Sequence, residues 1–295
     1  MATFKIFTWN MQRGQSISRN DNTITLRLQI LQALVNWADF GFITEPGRDI
    51  RINLNNFQLP GLNRNFCASQ LPDNQSDGSA CRPVVFSKKP FTRFPLQSET
   101  YISYLSGADQ AYRYPAAGIV TLDHDDGEGH QDLLLLSFHA TSGFGAYDNC
   151  QGYFDSFYQN VLGRGGYPTA VPLVWIVGGD FNCRAGRAIY LPITSTHQSG
   201  HIIDGFFADQ NGTNFEIKQI AAAQTWTGAG QFITNPNANP RGLVINGLHL
   251  SDHCPVLMEL QVAPLPPDRD VVNPANIIAT KRVRRMSTRM DIDKF

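Results

Sequence analysis

Runs of apolar residues in this chain repeatedly stop at a single Asn, Glu, His or Asp. Residues 3–9 read as a buried strand that ends at Asn10, and Phe40-Gly41-Phe42-Ile43-Thr44 as a short strand that ends at Glu45. Between them, residues 25–38 place Leu26, Ile30, Leu31, Leu34 and Val35 at helical spacing, the pattern of an amphipathic helix. The stretch 60–81 is rich in Pro, Asn, Asp, Ser and Gly and reads as loop. Further strands are expected over 83–87, 117–122, 133–138, 172–177, 202–207 and 256–262, with a second helix over 150–162. The polar turn 123–130 carries acids and His but not the ligand spacing of an EF-hand, so it reads as a solvated hairpin turn. Residues 210–246 mix short strand-like pieces with Asn, Gly and Pro and yield no assignment.

Strands and helices therefore intermix, yet neither G-x-G-x-x-G nor G-x-x-x-x-G-K-[ST] occurs, and nucleotide-cradle folds lose support. No repeat at solenoid spacing is present. With 295 residues, 42% hydrophobic and 17% charged, the chain can bury a sizeable core. Its formal net charge is −1, but the last fifteen residues hold six basic and two acidic side chains. The remaining body carries 18 basic against 23 acidic residues, which does not favour strong non-specific DNA binding. No stretch reaches the roughly 20 apolar residues of a membrane span. No basic lead with an apolar core precedes the first strand, as expected of a cytosolic chain or a mature form whose signal has been removed. The five cysteines (67, 81, 150, 183 and 254) lack zinc spacing. Cys67 and Cys81 flank a polar loop, compatible with a bridge in an oxidising compartment or with two free thiols.

The polar residues at the strand ends are the types that phosphate-ester hydrolysis requires. That reaction needs a water activated for attack, charge stabilised on the phosphoryl oxygens, and help for the leaving oxygen. Histidines and carboxylates can activate the water, a carboxylate beside an imidazole can orient it, and the amides of Asn10 and Asn182 can bind phosphate oxygens. Glu45 and Asp252 supply the hard oxygen donors that Mg²⁺ prefers. Each has a blander reading alone: His139 as a core or hairpin histidine, Asp180 as a turn residue after Gly-Gly, Asp204 as a strand-end cap, Trp9 as core packing. Their joint appearance in this order carries the argument.

Gly179-Asp180-Phe181-Asn182 and Ser251-Asp252-His253 followed by Pro255-Val256 resemble the endonuclease/exonuclease/phosphatase superfamily over roughly residues 3–262. Three details resemble most the catalytic B subunits of cytolethal distending toxins within it: Thr8-Trp9-Asn10-Met11-Gln12, Glu45-Pro46-Gly47, and Thr196-His197-Gln198-Ser199-Gly200-His201-Ile202-Ile203-Asp204. The resemblance implies an α/β fold, a four-layer sandwich of two mixed β-sheets face to face with helices outside (the DNase I-like fold). It implies a metal-dependent phosphodiesterase with Glu45 as the principal Mg²⁺ ligand and Asp252 and Asn10 beside it. His139 and His253 would face the scissile phosphate, with Asp204 orienting His253. Asp180 would activate or position water, while Asn182 and Arg113, in Tyr112-Arg113-Tyr114, would reach phosphate oxygens. Thr44 stands where relatives often carry Gln before the metal glutamate.

The domain is thus expected over 1–262, followed by a tail over 263–295 that opens with Pro264, Pro266 and Pro267 and carries Lys281-Arg282-Val283-Arg284-Arg285. That basic run reads as a nuclear-import signal, a phosphate contact or a solubilising tail. Three functions follow. One is a Mg²⁺-dependent endonuclease that nicks DNA as a genotoxin subunit, secreted and delivered by partner subunits to a target-cell nucleus. A second is a phosphatase using the same metal site on a phosphoinositide or other phosphomonoester. A third is a binding module without catalysis; outside the toxin reading the chain would be cytoplasmic or nuclear.

Overall fold

On the first strand, successive side chains serve two different cores. Ile6 packs toward one side with Phe40 and Phe42, while Phe7 and Trp9 pack toward the other with Leu31 and Leu34. This is the two-residue period of a strand buried on both faces. The computed structural model describes residues 2–12, 21–46, 66–68, 83–91, 116–123, 130–139, 173–182, 189–190, 195–208, 215–223, 225–226, 232–233, 242–245 and 248–262.

In chain order the elements begin with β1 (Ala2–Asn10), α1 (Asp21–Trp37), β2 (Phe40–Thr44), β3 (Phe66–Ala68), β4 (Val84–Ser87), β5 (Ala116–Asp123) and β6 (His130–His139). They continue with β7 (Leu173–Asp180), β8 (Ile189–Tyr190), β9 (Asp204–Ala208), β10 (Phe215–Ala222), β11 (Thr225–Trp226), β12 (Phe232–Ile233), β13 (Leu243–Ile245), β14 (Leu248–Ser251) and β15 (Val256–Val262). Six strands form one sheet in the order β10-β15-β1-β2-β4-β3, and five form another in the order β5-β6-β7-β9-β8. Both are mixed, because β1 pairs parallel with β2 and β6 pairs parallel with β7 while their other neighbours run antiparallel.

The sheets pack face to face. Ile6, Phe42, Val85, Met258 and Leu260 of the first meet Val120, Leu133, Leu135, Ile176 and Phe206 of the second. On the first sheet's outer face, α1 buries Ile30, Leu31, Leu34 and Val35 against Trp9, Ile43 and Phe86. This is the α/β sandwich of two mixed sheets that the sequence predicts, with the DNase I-like architecture. No helix among the described residues is long and apolar enough to cross a membrane.

Most element assignments hold within a few residues, and the exceptions have physical causes. Phe66–Ala68, inside the expected loop 60–81, is an edge strand paired antiparallel with β4. Three residues are too few for alternation to be read. The strand expected from residue 202 begins instead at Asp204, because Thr196 Oγ1 accepts the Ile203 and Asp204 amides before the ladder starts. In the unassigned stretch 210–246, β10 escapes notice because its register shifts between Ile217 and Gln219, breaking its alternation. The strands flanking the polar stretch 123–130 pair antiparallel, with Asp123 opposite His130. The expected helix 150–162, Arg113, the Cys67–Cys81 pairing and the tail 263–295 lie outside what is described.

Candidate functional site

All the strand-end polar groups singled out above, Arg113 apart, fall at one end of the sandwich. On β6, Leu133, Leu135, Ser137 and His139 share the face turned toward the first sheet; on β7, Ile176, Gly178 and Asp180 do. The ladder pairs His139 with Asp180 and Asp180 with Asp204, so the second sheet lines up three polar residues in register. In the first sheet Asn10 is paired with Thr44, which puts Glu45 one residue beyond. The turn entering β15 adds Asp252 and His253.

Each strand exit turns sharply. Gln12, Glu45 and Asn182 adopt φ of 43°, 47° and 50°, left-handed conformations uncommon for residues other than Gly. Local bonds hold these turns. The Gln12 amide donates to Asn10 Oδ1 at 2.9 Å, and the Asn182 amide to Asp180 Oδ1 at 2.9 Å. Ser251 Oγ donates to the Asn10 carbonyl at 2.8 Å, and the Asp252 amide donates to Gln12 Oε1 at 3.0 Å, tying the β15 turn to the end of β1.

Asp180 is the hub. Its Oδ2 accepts from Asn10 Nδ2 at 2.9 Å and lies 3.6 Å from His139 Nε2 and 3.7 Å from His253 Nε2. The same His139 Nε2 is 3.4 Å from Glu45 Oε1. His253 Nδ1 is bonded to Asp204 Oδ2 at 2.8 Å, an imidazole oriented by a fully buried carboxylate.

Burial and charge push these groups in opposite directions. Burial, helped by the charge of Asp204, lifts the Asp180 carboxyl to about 7, although His253 and the Asn10 amide pull it down. Burial works against the His253 cation, but Asp204, Asp180 and Asp252 outweigh it and raise the imidazole to about 10. Burial opposes the Asp252 carboxylate too, yet a bond from His197 and the charge of His253 hold it below its ordinary range. At neutral pH His253 is thus a cation, Asp252 an anion, and Asp180 titrates between them.

A divalent cation fits the donors present. Asp252 Oδ1 is an ionised hard oxygen that is buried without a hydrogen-bond partner, 3.5 Å from His253 Nε2. Among the described residues, two sets of His and carboxylate atoms lie within 4.8 Å of one another, His197, Asp252 and His253, and Asp180, Asp204 and His253; the imidazolium of His253 offers no lone pair, so the carboxylates are the donors in each. Glu45 belongs to neither set and stands beside His139 instead. Asn10 has both ends of its amide engaged, one donating to Asp180 and the other accepting from Gln12.

Three residues near the site carried no role in the sequence. Gln12 and His197 sit inside the quoted motifs, and their contacts with Asp252 appear only in three dimensions. Arg27 is buried on α1, with Nε donating to the Leu250 carbonyl and its guanidinium drawn below its usual range by burial, against the pull of Asp252. Its signal was a lone Arg three and four residues before Ile30 and Leu31, within the apolar stripe.

This arrangement defines a class: a DNase I-like sandwich with an Asp–His–Asn cluster at one end of its sheets. No protein-family model and no curated protein sequence matches the chain. Solved structures do. The endonuclease/exonuclease/phosphatase protein of Bacteroides vulgatus is 13% identical, with a TM-score of 0.56 over 89% of this chain and 100% of that one. TDP2 of D. rerio, complexed with single-strand DNA product, is 12% identical, with a TM-score of 0.55 over 89% and 100%. The cytolethal distending toxin of Actinobacillus actinomycetemcomitans is 14% identical, with a TM-score of 0.49 over 86% and 97%. At 12–13% identity the first two of these likenesses show the shared fold alone, and they are not specific to the toxin subunit.

Proposed function

We propose that this chain is a divalent-cation-dependent phosphodiesterase that nicks DNA. One observation carries the reading: a single oxygen, Asp180 Oδ2, lies within 2.9 Å of Asn10 Nδ2, 3.6 Å of His139 Nε2 and 3.7 Å of His253 Nε2. Acid and base roles divide where environments push pKa values apart. Asp180, at about 7, is the base that accepts a proton from water, and His253, at about 10, is the donor. The water oxygen bonds to phosphorus, the bond from phosphorus to the leaving oxygen breaks, and that oxygen takes a proton from His253 Nε2. Asp204 keeps His253 charged and aimed through Nδ1. His139, Asn10, Asn182 and Arg113 serve the phosphoryl oxygens. Glu45 and Asp252, with Asn10 beside them, would hold Mg²⁺, which when bound neutralises charge developing on the phosphate.

DNA is favoured as substrate by the quoted motifs, and the D. rerio TDP2 neighbour holds single-strand DNA product on the same fold. The acidic body implies that affinity comes from a local groove rather than from general charge. In its finest form the proposal is a genotoxin subunit requiring delivery partners, supported only by the Thr8–Gln12, Glu45–Gly47 and Thr196–Asp204 motifs. Initial rates on bis(p-nitrophenyl) phosphate and on p-nitrophenyl phosphate, with Mg²⁺ and with EDTA, test the class. Diester cleavage that EDTA abolishes is expected. Cleavage of the monoester alone would move the assignment to a phosphatase, and folded protein inert on both would sink it.

A further inference from the structure

The contacts of His197 favour one tautomer of its neutral ring. Its Nδ1 lies 3.1 Å from the Ser199 backbone N–H, a group that can only donate, and 2.6 Å from Ser199 Oγ. Nδ1 is therefore an acceptor, and in the neutral ring the proton sits on Nε2. That Nε2–H donates to Asp252 Oδ2 at 3.3 Å. The ring is fixed as well by its edge-on packing against His253, with centroids 4.6 Å apart at 67°.

The backbone behind the ring is equally constrained. His197 and His253 form an isolated antiparallel bridge, the Gln198 amide donates to the Asp252 carbonyl at 2.8 Å, and the Cys254 amide to the Thr196 carbonyl at 2.7 Å. Gly200, at φ 83°, closes the turn with its amide on the His197 carbonyl at 2.9 Å. The loop is zipped onto the very residues that carry Asp252.

The consequence falls on the two oxygens of Asp252. Oδ2 is held by His197, while Oδ1 is buried, has no hydrogen-bond partner and stands 3.5 Å from His253 Nε2. We propose that His197 is a positioning residue, which in its Nε2–H form clamps one oxygen of Asp252 so that the other is presented to the cation. This rests on the reading of Asp252 as a cation ligand. Groups that orient a metal-binding carboxylate typically contribute about 10–100-fold in metal affinity. A loop-packing role would give no dependence on the donor atom itself.

The test is Mn²⁺ binding, followed by electron paramagnetic resonance, on full-length wild type, His197→Ala and His197→Gln, with Tm recorded for each. Gln can offer its Nε2–H where the imidazole did. The expected result is binding weakened about 10–100-fold in His197→Ala and restored to within a few-fold in His197→Gln. Equal binding by His197→Ala, or equal loss in both variants, would overturn the proposal while leaving the cation site standing. Wild type that binds no Mn²⁺ would overturn the cation reading itself. Long-range ¹H–¹⁵N correlation on wild type gives a second readout that needs no variant: protonated Nε2 and bare Nδ1 are expected, and the Nδ1–H tautomer would refute the clamp.

Discussion

Placing a methyl group at Gly178 should wedge the two sheets apart. An ideal Cβ there would lie 2.5 Å from Phe42 Cγ and closer still to Cδ2, far inside contact distance. The Phe42 ring cannot retreat easily, because it is wholly buried and packs edge-on to Phe206 at 6.2 Å. Overpacking of this kind costs about 1–3 kcal/mol. The gain from replacing a flexible glycine in a strand, about 0.5–1 kcal/mol, offsets part of it. A net loss of about 1–2 kcal/mol, the middle of the range these terms leave, should lower Tm by roughly 2–8 °C in a domain of this size. Differential scanning calorimetry of Gly178→Ala, Phe42→Leu and the double variant checks it. The double variant should be more stable than the sum of the singles predicts, by about 1 kcal/mol or more. Gly179→Ala is the contrast, since its Cβ would collide with the backbone carbonyl of Phe138, and Phe42→Leu should not relieve it. A Gly178→Ala protein as stable as wild type, or strict additivity with Phe42→Leu, would refute the interlock between Gly178 and Phe42.

Two further outcomes follow from the charges at the site. Because the folded His253 is raised from 6.5 to about 10, its stabilisation is whole below about pH 6.5 and gone above about pH 10. Tm should therefore fall across that window, and His253→Gln should flatten the fall; an unchanged slope would contradict the buried imidazolium. Asp180 has the same sign in a lower window. Its carboxyl is raised from 3.8 to about 7, so the unfolded chain ionises first and stability drops as pH rises between those values, by at most about 4 kcal/mol. Asp180→Asn removes that penalty and loses one hydrogen bond of about 1 kcal/mol, because its amide cannot accept from both Asn10 and Asn182. At pH 7 this variant should melt higher than wild type and turn over no substrate; a lower Tm would show that the carboxylate stabilises the fold.

What the sequence made legible was set by length and periodicity. β1, β2, β6, β7 and β15 are long enough or apolar enough for their pattern to appear, and α1 shows its stripe at Ile30, Leu31 and Leu34. Their polar last residues were legible for the same reason, since Asn10, His139 and Asp180 continue the inward-facing alternation of buried strands. The short strands β3, β8, β11 and β12 hold two or three residues each and offer no period to read. The role of His197 was illegible for another reason: its contact with Asp252 spans 55 residues and depends on a loop bridge that no local pattern encodes.

The central claim, that the cluster around Asp180 hydrolyses phosphodiesters, is tested most directly by nicking of supercoiled plasmid with and without Mg²⁺, beside a His139→Ala protein of unchanged Tm. Nicking by wild type that requires Mg²⁺ and is lost in His139→Ala is the predicted result. Folded wild type that leaves the plasmid supercoiled, or a His139→Ala protein that nicks as fast, would contradict the account.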